Sequence, residues 1–286
     1  MKKLLMVFSA LTLSAGLASV VQADPASDLK QFQDYFKKRF PSVARDEFSN
    51  GLYALPGNEE YKASWEGYKD LAPYEVGLEE GKKLWDKPFK NGKTFASCFR
   101  NGGQKIAQNY PYWDEATKMV RTAELDINDC LKKNGEKEFT DLEKDGKARG
   151  QLANLVGYFY SMSKGQRIKI DISKPGAIAA YEKGKQFWWA KRGQLNFACA
   201  DCHMESAGKN LGGNQPLSAA LGHTTAWPAQ RYDWGRIETL HQRYATCNTQ
   251  IRAASLKHNG EEYRNVQFYE TYNSSGLPLT APDMRN

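Results

Sequence analysis

The chain has 286 residues, with 40 lysines and arginines against 33 aspartates and glutamates and a formal net charge of +7. No Lys/Arg run concentrates this charge, which argues against a nucleic-acid partner and favours small anions or anionic surfaces. The length suits one large domain or two ordinary ones.

The first 23 residues predict a cleaved signal peptide. Lys2 and Lys3 precede an uncharged apolar stretch over 4–21, and Val21-Gln22-Ala23 is a small-x-small cleavage site. The alternative, a retained membrane anchor, is disfavoured by the serines and glycines within the stretch, and no later stretch predicts a membrane span. We therefore expect a periplasmic protein in an oxidising compartment, where cysteines pair unless chemistry keeps them free.

Apolar spacing along the mature chain predicts a mainly helical fold. QRIKIDI at 166–172 could form a short strand, and DISKPG at 171–176 is a plausible link between two domains, 24–172 and 173–286. The Gly/Asn-containing loop over 207–215 is of the kind that a small helical domain wraps around a large flat ligand. The predicted helices are 59–71, 74–85, 114–133, 141–162, 177–189 and 234–255.

Two segments repeat. GKKLWDKPFKNGKTFASC ends at Cys98, and GKQFWWAKRGQLNFAC ends at Cys199. Downstream, Pro111 precedes Cys130 by 19 residues, and a second proline precedes Cys247 by the same number. Two matches in the same order, each ending on a cysteine, indicate a duplicated domain.

The two halves differ directly after the first repeated cysteine. Cys199 is followed by Ala-Asp-Cys202-His203, whereas Cys98 is followed by Phe-Arg-Asn-Gly. Asn101 therefore stands where the second cysteine would be, and Gly102 stands where the histidine would be. The first half looks like a copy that has lost its site.

The C-x-x-C-H motif predicts attachment of haem c. Thiols one helical turn apart, Cys199 and Cys202, can form thioethers to the two haem vinyl groups, and His203 then faces the iron as proximal ligand. A zinc site would need two more Cys or His at regular spacing. A thioredoxin-like pair would need a βαβ context, and a structural disulfide between near neighbours would not need the histidine.

The sixth iron ligand is left open by the sequence. His223, His241 and His258 are possible, Met284 lies in a Pro-rich tail close to the C-terminus, and Met204 is too close to His203 to reach the opposite face. Cys247 is the other candidate. Cys98 and Cys130 occupy matched positions and are natural disulfide partners, a pairing that the sequence alone does not fix. Cys247 would then be unpaired, either as an iron-bound thiolate or as a buried inert thiol.

Arg243 lies four residues before Cys247, on the same helix face. A guanidinium there favours a thiolate and can bind an oxyanion. The alternatives are a surface charge or a partner for a haem propionate.

These residues resemble a known family. GRIETLHQRYATCNTQIRAASL, followed by GEEYRNVQFYETYNSSGLPLTAPDMR, is similar to the C-terminal domain of the SoxA family, the catalytic subunits of SoxAX cytochrome complexes. The resemblance covers the mature chain and implies two tandem cytochrome c-like domains. It also implies L-cysteine S-thiosulfotransferase activity, in which thiosulfate is joined oxidatively to a cysteine of the carrier SoxYZ.

The resemblance implies a role for each motif residue. Cys199 and Cys202 would hold the haem, and His203 would be its proximal ligand. Cys247 would be both the distal ligand and the catalytic residue, with a persulfide in the resting protein, and Arg243 would bind the substrate. A SoxX-type cytochrome would be the partner, and electrons would pass to an acceptor cytochrome c.

The chain departs from the two-haem pattern of this family at Asn101 and Gly102. It therefore resembles the single-haem branch, with a disulfide in place of the lost haem, which fits Cys98 with Cys130. Three other functions stay open: a plain periplasmic electron-transfer cytochrome c, a dihaem peroxidase-like enzyme, which would need a second motif, and a non-catalytic assembly subunit.

Overall fold

A computed structural model describes residues 24–212 and 215–285, so the predicted signal peptide lies outside the described residues. The prediction of a mainly helical fold is confirmed. The helices are α1 Pro25–Arg39, α2 Glu59–Gly67, α3 Tyr74–Asp86, α4 Ala123–Lys133, α5 Gly146–Ser161, α6 Pro175–Trp189, α7 Leu240–Gln250 and α8 Glu261–Asn273.

Short strands and turns connect the helices. One sheet pairs β1 with β2, another pairs β3 with β4, and a third has the order β6-β5-β7. In none of the described ranges is there a helix with the length and hydropathy needed to cross a membrane. The strands are β1 Tyr112–Asp114, β2 Met119–Arg121, β3 Asn210–Leu211, β4 Gln215–Pro216, β5 Ala229–Arg231, β6 Ile237–Glu238 and β7 Asp283–Arg285.

Several predicted boundaries are wrong for local reasons. The helix expected over 114–133 begins only at Ala123, because Asp114 accepts hydrogen bonds from the Thr117 amide and hydroxyl and closes a β1–β2 turn. The helix expected from 141 starts at Gly146, where Asp145 caps it. The helix expected over 234–255 is α7 alone, preceded by β6.

One predicted strand does not form, and two helices were not predicted. QRIKIDI forms no strand beyond one isolated bridge between Arg167 and Pro278. Neither α1 nor α8 was predicted from the sequence. The bounds of α3 and α6 agree closely with those predicted.

The duplication is visible in how the long helices cross. In the first half α3 packs on α5, and in the second α6 packs on α8. A Cβ atom at Gly81 would lie 2.1 Å from the Asn154 carbonyl oxygen, and one at Gly184 would lie 2.1 Å from that of Asn265. Both crossings therefore need a glycine at the same place, because the backbones approach too closely for any side chain.

The two hairpins repeat as well. Trp113 pairs with Val120 across β1–β2, and Gln230 pairs with Ile237 across β5–β6. These pairs, the N-cap threonines of α4 and α7 and the cysteines on those helices are all 117 residues apart. A hairpin followed by a cysteine-bearing helix is thus the repeated unit.

Helix α1 packs against the second half, although it comes first in the chain. Arg39 donates to the carbonyl oxygens of Glu205 and Ala207, at 2.8 and 3.1 Å, and Tyr35 donates to that of Met204 at 3.0 Å. It therefore supports the turn that carries the C-x-x-C-H motif. The division at residue 172 stays a prediction.

Candidate haem site and distal cysteine

The C-x-x-C-H motif lies in a loop and short helical turn after α6. The Asp201 carboxylate accepts a hydrogen bond from the Ala198 amide at 2.7 Å and so fixes the entry into the turn Asp201–Glu205. The free thiols of Cys199 and Cys202 and the ring of His203 all line one cavity. The motif residues are thus brought together as the sequence predicts.

His203 is prepared to act as a ligand through one nitrogen. Its Nδ1 lies 3.0 Å from the Ser218 carbonyl oxygen, and since a carbonyl only accepts, Nδ1 must carry the proton. The lone pair is then on Nε2, as in most metal-bound histidines. Burial lowers the pKa of His203 well below its usual range and keeps the ring neutral.

The two motif thiols are protonated. Burial raises the pKa of Cys199 to about 12 and also raises that of Cys202. Protonated thiols beside a ligand-ready histidine fit thioether attachment of haem.

The cavity has a volume of about 270 Å³ and mainly apolar walls, among them Trp188 and Leu217. At its rim Leu195, Phe197 and Leu211 are 45%, 36% and 46% exposed. Apolar side chains that surround an opening mark a place for a ligand that covers them. The loop predicted to wrap a flat ligand does contribute, through Leu211 and its described neighbours.

Helix α7 forms another wall and presents Arg243, Tyr244 and Cys247 to the same cavity. Arg243 is only 8% exposed, yet its Nη1 has no hydrogen-bond partner within the described residues. A buried, unpartnered guanidinium is costly unless an anion completes it. The site thus combines a haem motif, a cysteine and a binding group for a carboxylate or an oxyanion.

The other residues considered for the sixth position lie elsewhere. Met284 is on β7, in a core cluster with Tyr53 and Trp65. The His241 ring accepts from the Asn259 amide at 3.0 Å and packs on tyrosines, and His258 lies beside Glu143. Among the described residues these three do not line the cavity, whereas Cys247 does.

His223 does line the cavity, but on the side of His203. The two ring centroids are 4.4 Å apart. His223 Nδ1 lies 2.7 Å from a carboxylate oxygen of Glu270, whose other oxygen accepts from the Tyr244 hydroxyl. We call these three residues the polar trio: His223, Tyr244 and Glu270.

The sequence analysis missed the trio. Glu270 is 2% exposed, and the only sign of it in the sequence is that it follows Phe268 and Tyr269 and precedes Tyr272 in the buried part of α8. Burial and the negative charge of Glu270 raise the pKa of Tyr244 well above its usual range, so its hydroxyl stays a donor. The trio connects the wall that bears His203 to the wall that bears Cys247.

The matched place in the first half is closed by a disulfide between Cys98 and Cys130, the pairing anticipated above. Asn101 and Gly102 have φ of 52° and 60°, so the backbone there is left-handed. The helical turn that carries the second cysteine and the histidine is therefore absent from this half. A cavity of about 610 Å³ lies beside the disulfide.

Comparison with known proteins agrees with this geometry. Residues 80–168 match the SoxA/TsdA cytochrome c domain family, on the half that lacks the motif. A crystal structure of SoxXA from P. pantotrophus superposes with a TM-score of 0.69 at 21% identity, covering 78% of this chain and 84% of that one. At that identity the likeness supports the fold.

Curated relatives match over almost the whole chain. The L-cysteine S-thiosulfotransferase subunit SoxA of Chlorobaculum tepidum is 43% identical over 98% of this chain and 95% of that protein. The same subunit from Allochromatium vinosum is 42% identical over 98% of this chain and 96% of its own length. The chain therefore belongs to the SoxA family of L-cysteine S-thiosulfotransferase subunits, cytochrome c proteins with covalently bound haem.

Proposed function

We propose that this protein joins thiosulfate oxidatively to a cysteine of a SoxYZ carrier in the periplasm, with Cys247 as the reacting sulfur. The observation that carries the proposal is the unpartnered Nη1 of Arg243 in the cavity that Cys247 shares with the C-x-x-C-H motif. Family membership favours this function over plain electron transfer.

One haem is proposed, in the second half. Cys199 and Cys202 would hold it through thioethers, His203 Nε2 would be the proximal ligand and Cys247 the distal one. The first half lacks the second cysteine and the histidine, and its remaining cysteine is bridged to Cys130.

The overall reaction sets what the site must do. An S–S bond forms between the carrier cysteine and the outer sulfur of thiosulfate, the carrier thiol loses its proton, and two electrons leave. Haem, when bound, accepts electrons one at a time, so a second carrier is needed, and a SoxX-type cytochrome subunit and an acceptor cytochrome c would supply it.

Cys247 would bear an extra sulfur as a persulfide, since a persulfide is a good nucleophile and a good leaving centre. Arg243 would hold the sulfonate oxygens and direct the outer sulfur towards Cys247, because a guanidinium matches an oxyanion with two parallel donors. The apolar rim would limit access of water.

The intact mass of the haem-loaded protein, before and after cyanide, tests the proposal. We expect the chain without its first 23 residues, plus one haem, less two hydrogens for Cys98–Cys130, plus one sulfur that cyanide removes. Cys247→Ala should abolish only the removable sulfur. A protein with one haem, no removable sulfur and a freely alkylated Cys247 would instead support an electron-transfer cytochrome.

A further inference from the structure

Glu270 is a buried acid to which the proposed reaction gives no role. It lies on α8 and is not among the described residues that line the cavity. One of its carboxylate oxygens lies 2.7 Å from His223 Nδ1, and the other accepts from the Tyr244 hydroxyl. A carboxylate is costly to bury unless its oxygens are hydrogen-bonded. The groups that these two contacts hold in place therefore indicate what the acid does.

The contact with His223 holds the loop that orients His203. In this loop, between β4 and β5, the Ser218 carbonyl oxygen lies 3.0 Å from His203 Nδ1, and the Ala220 amide donates to the His203 carbonyl oxygen at 2.9 Å. The His223 amide donates to the Ala220 carbonyl oxygen at 3.0 Å, and the two imidazole centroids are 4.4 Å apart. The loop and the motif turn are thus one hydrogen-bonded unit, to which Glu270 is attached through His223.

The contact with Tyr244 holds the helix that carries Cys247. Tyr244 is buried on α7, directly after Arg243 and three residues before Cys247. Residues three apart on a helix lie on the same side, and all three of these side chains line the cavity. A shift or rotation of α7 that moved Cys247 would therefore also pull the Tyr244 hydroxyl away from Glu270.

The first half has a different connection at this place. The positions matched to the polar trio are apolar there, and a disulfide joins Cys130 on the matched helix to Cys98. Their counterparts in the second half, Cys247 and Cys199, are free thiols. The half that carries the motif thus lacks the covalent bond and has carboxylate hydrogen bonds between the corresponding walls.

We infer that Glu270 is a positioning residue that sets how Cys247 lies relative to His203, the two residues proposed as iron ligands. This assignment rests on the proposed function and deepens it. Glu270 acts through Tyr244 on one side and through His223 on the other. Without its two hydrogen bonds α7 is held less firmly, so an added ligand competes better with the Cys247 sulfur for the sixth position.

The test measures imidazole binding to the haem-loaded protein, because imidazole is a haem ligand that competes for the sixth position. Glu270→Leu removes both hydrogen bonds and should tighten imidazole binding about tenfold or more, towards the value for Cys247→Ala. Tyr244→Phe removes one of them and should give a smaller change in the same direction. Added to Glu270→Leu, it should have little further effect, since both changes break the same contact.

Glu270→Gln separates geometry from charge. Its amide can accept from Tyr244 and donate to His223, so imidazole binding should stay within about threefold of the wild type. If Glu270→Gln bound imidazole as tightly as Glu270→Leu, the charge and not the position would matter, and the inference would be overturned.

Val266→Ala is the matched control for a loss of packing, because Val266 is fully buried on the same helix. It should lower the melting temperature but leave imidazole binding and the haem absorption spectrum unchanged, whereas Glu270→Leu should shift the spectrum towards that of Cys247→Ala. Equal imidazole binding by Glu270→Leu and either Val266→Ala or the wild type would overturn the inference.

The wild type and Cys247→Ala decide whether the proposed function fails instead. If these two bound imidazole equally, Cys247 would not be the sixth ligand, and the inference would fall with that assignment. If they differed as expected but the wild-type complex with its SoxX-type partner did not turn over thiosulfate, the proposed reaction would be refuted, while tighter imidazole binding by Glu270→Leu would still support the positioning role.

Discussion

The space next to the motif position is filled by polar side chains in the second half of the chain and by apolar side chains in the first half. In the second half it holds the polar trio, hydrogen-bonded and buried. In the first half the residues at the corresponding offsets are buried and apolar: Ile106, Ile127 and Phe159. The offset of 111 residues that relates Phe159 to Glu270 also relates the crossing asparagines, Asn154 and Asn265.

The two halves therefore differ throughout this interior and not only at the motif. In the first half apolar side chains occupy the place of the trio, Trp85 packs on Phe95, Phe99 and Phe159, and a disulfide joins the two cysteine-bearing segments. The glycine-dependent helix crossing was kept. The fold is thus separable from the cofactor chemistry, because packing and a disulfide now hold together what haem would otherwise connect.

Removal of the Cys247 sulfur should have the largest effect. Cys247→Ala is expected to lower thiosulfate turnover roughly a thousandfold or more, since loss of a nucleophile removes the reacting atom. The haem absorption spectrum should change as well, because the proposed distal ligand is lost. Steady-state reduction of an acceptor cytochrome by the complex measures the first effect.

The matched control is Cys130→Ser together with Cys98→Ser, which removes the corresponding cysteines of the first half. That variant should keep wild-type turnover and an unaltered spectrum. If the complex stayed active with both Arg243→Ala and Cys247→Ala, the chain would be an assembly subunit. An unchanged haem spectrum in Cys247→Ala would argue for a different sixth ligand.

The pairing of Cys98 with Cys130, which the sequence suggests but does not fix, is seen in the structure, whereas the motif and the duplication could be read from the sequence alone. These depend on residue identity at fixed spacing, and C-x-x-C-H at 199–203 or the interval from Pro111 to Cys130 can be read without coordinates. The mainly helical class followed from apolar spacing for the same reason. The structure brings Arg243 and Cys247 into the cavity with the motif, while their roles stay predictions.

What the sequence could not provide depends on long-range contacts. Glu270 is far from His223 and Tyr244 in the chain, so a buried acid in α8 had no visible partner. The hairpin at 112–121 was read as helix, because Val120 and the neighbouring apolar residues also fit helical spacing. Helix α1 escaped prediction, although it packs on the motif turn.

The next largest effect is expected when a charge is introduced into the apolar interior of the first half. Phe159→Glu places at position 159 the acid that the second half has at 270, but without the histidine and tyrosine that bind it. An uncompensated buried carboxylate should lower the free energy of unfolding by about 3–5 kcal/mol. Urea unfolding followed by far-UV circular dichroism measures this loss.

Phe159→Leu is the control for packing alone and should cost about 1–1.5 kcal/mol. If Phe159→Glu lowered the free energy of unfolding no more than Phe159→Leu, the first-half interior would be accessible to water. The contrast between an apolar first-half interior and the polar trio would then be wrong.

Loss of the disulfide should lower the free energy of unfolding somewhat less than Phe159→Glu does. Cys98 and Cys130 are 32 residues apart, and closing a loop of that length removes enough disorder from the unfolded chain to stabilise the fold by about 3–4 kcal/mol. The double serine variant should therefore unfold at lower urea concentration. Equal stability of the variant and the wild type would mean that packing alone holds the first half together.

The two halves also predict opposite pH dependence at one matched position, His241 and Glu124. Burial, with a smaller contribution from His258, lowers the pKa of His241 to about 3. Below the ordinary histidine pKa the unfolded chain binds a proton that the folded chain does not, so stability falls as pH falls from about 6.5 towards 3. The slope is about 1.4 kcal/mol per pH unit.

His241→Gln should remove that slope, since glutamine can still accept from the Asn259 amide without titrating. Unfolding free energies at about pH 6.5 and pH 5 should then differ by about 2 kcal/mol less than in the wild type. An identical difference in both proteins would mean that His241 is protonated in the folded state.

Glu124 should give stability a pH dependence of the opposite sign to that of His241, and a weaker one. Burial raises its pKa, so the folded chain keeps a proton that the unfolded chain has released, and stability is lost as pH rises above about 4.5 through the folded pKa. The effect is smaller because the Thr122 hydroxyl and a backbone amide at the start of α4 stabilise the carboxylate. Glu124→Gln should therefore gain stability relative to the wild type between about pH 5 and pH 7, measured by urea unfolding. A gain that instead appeared on acidification would reverse the sign and show that the carboxylate is charged in the folded protein.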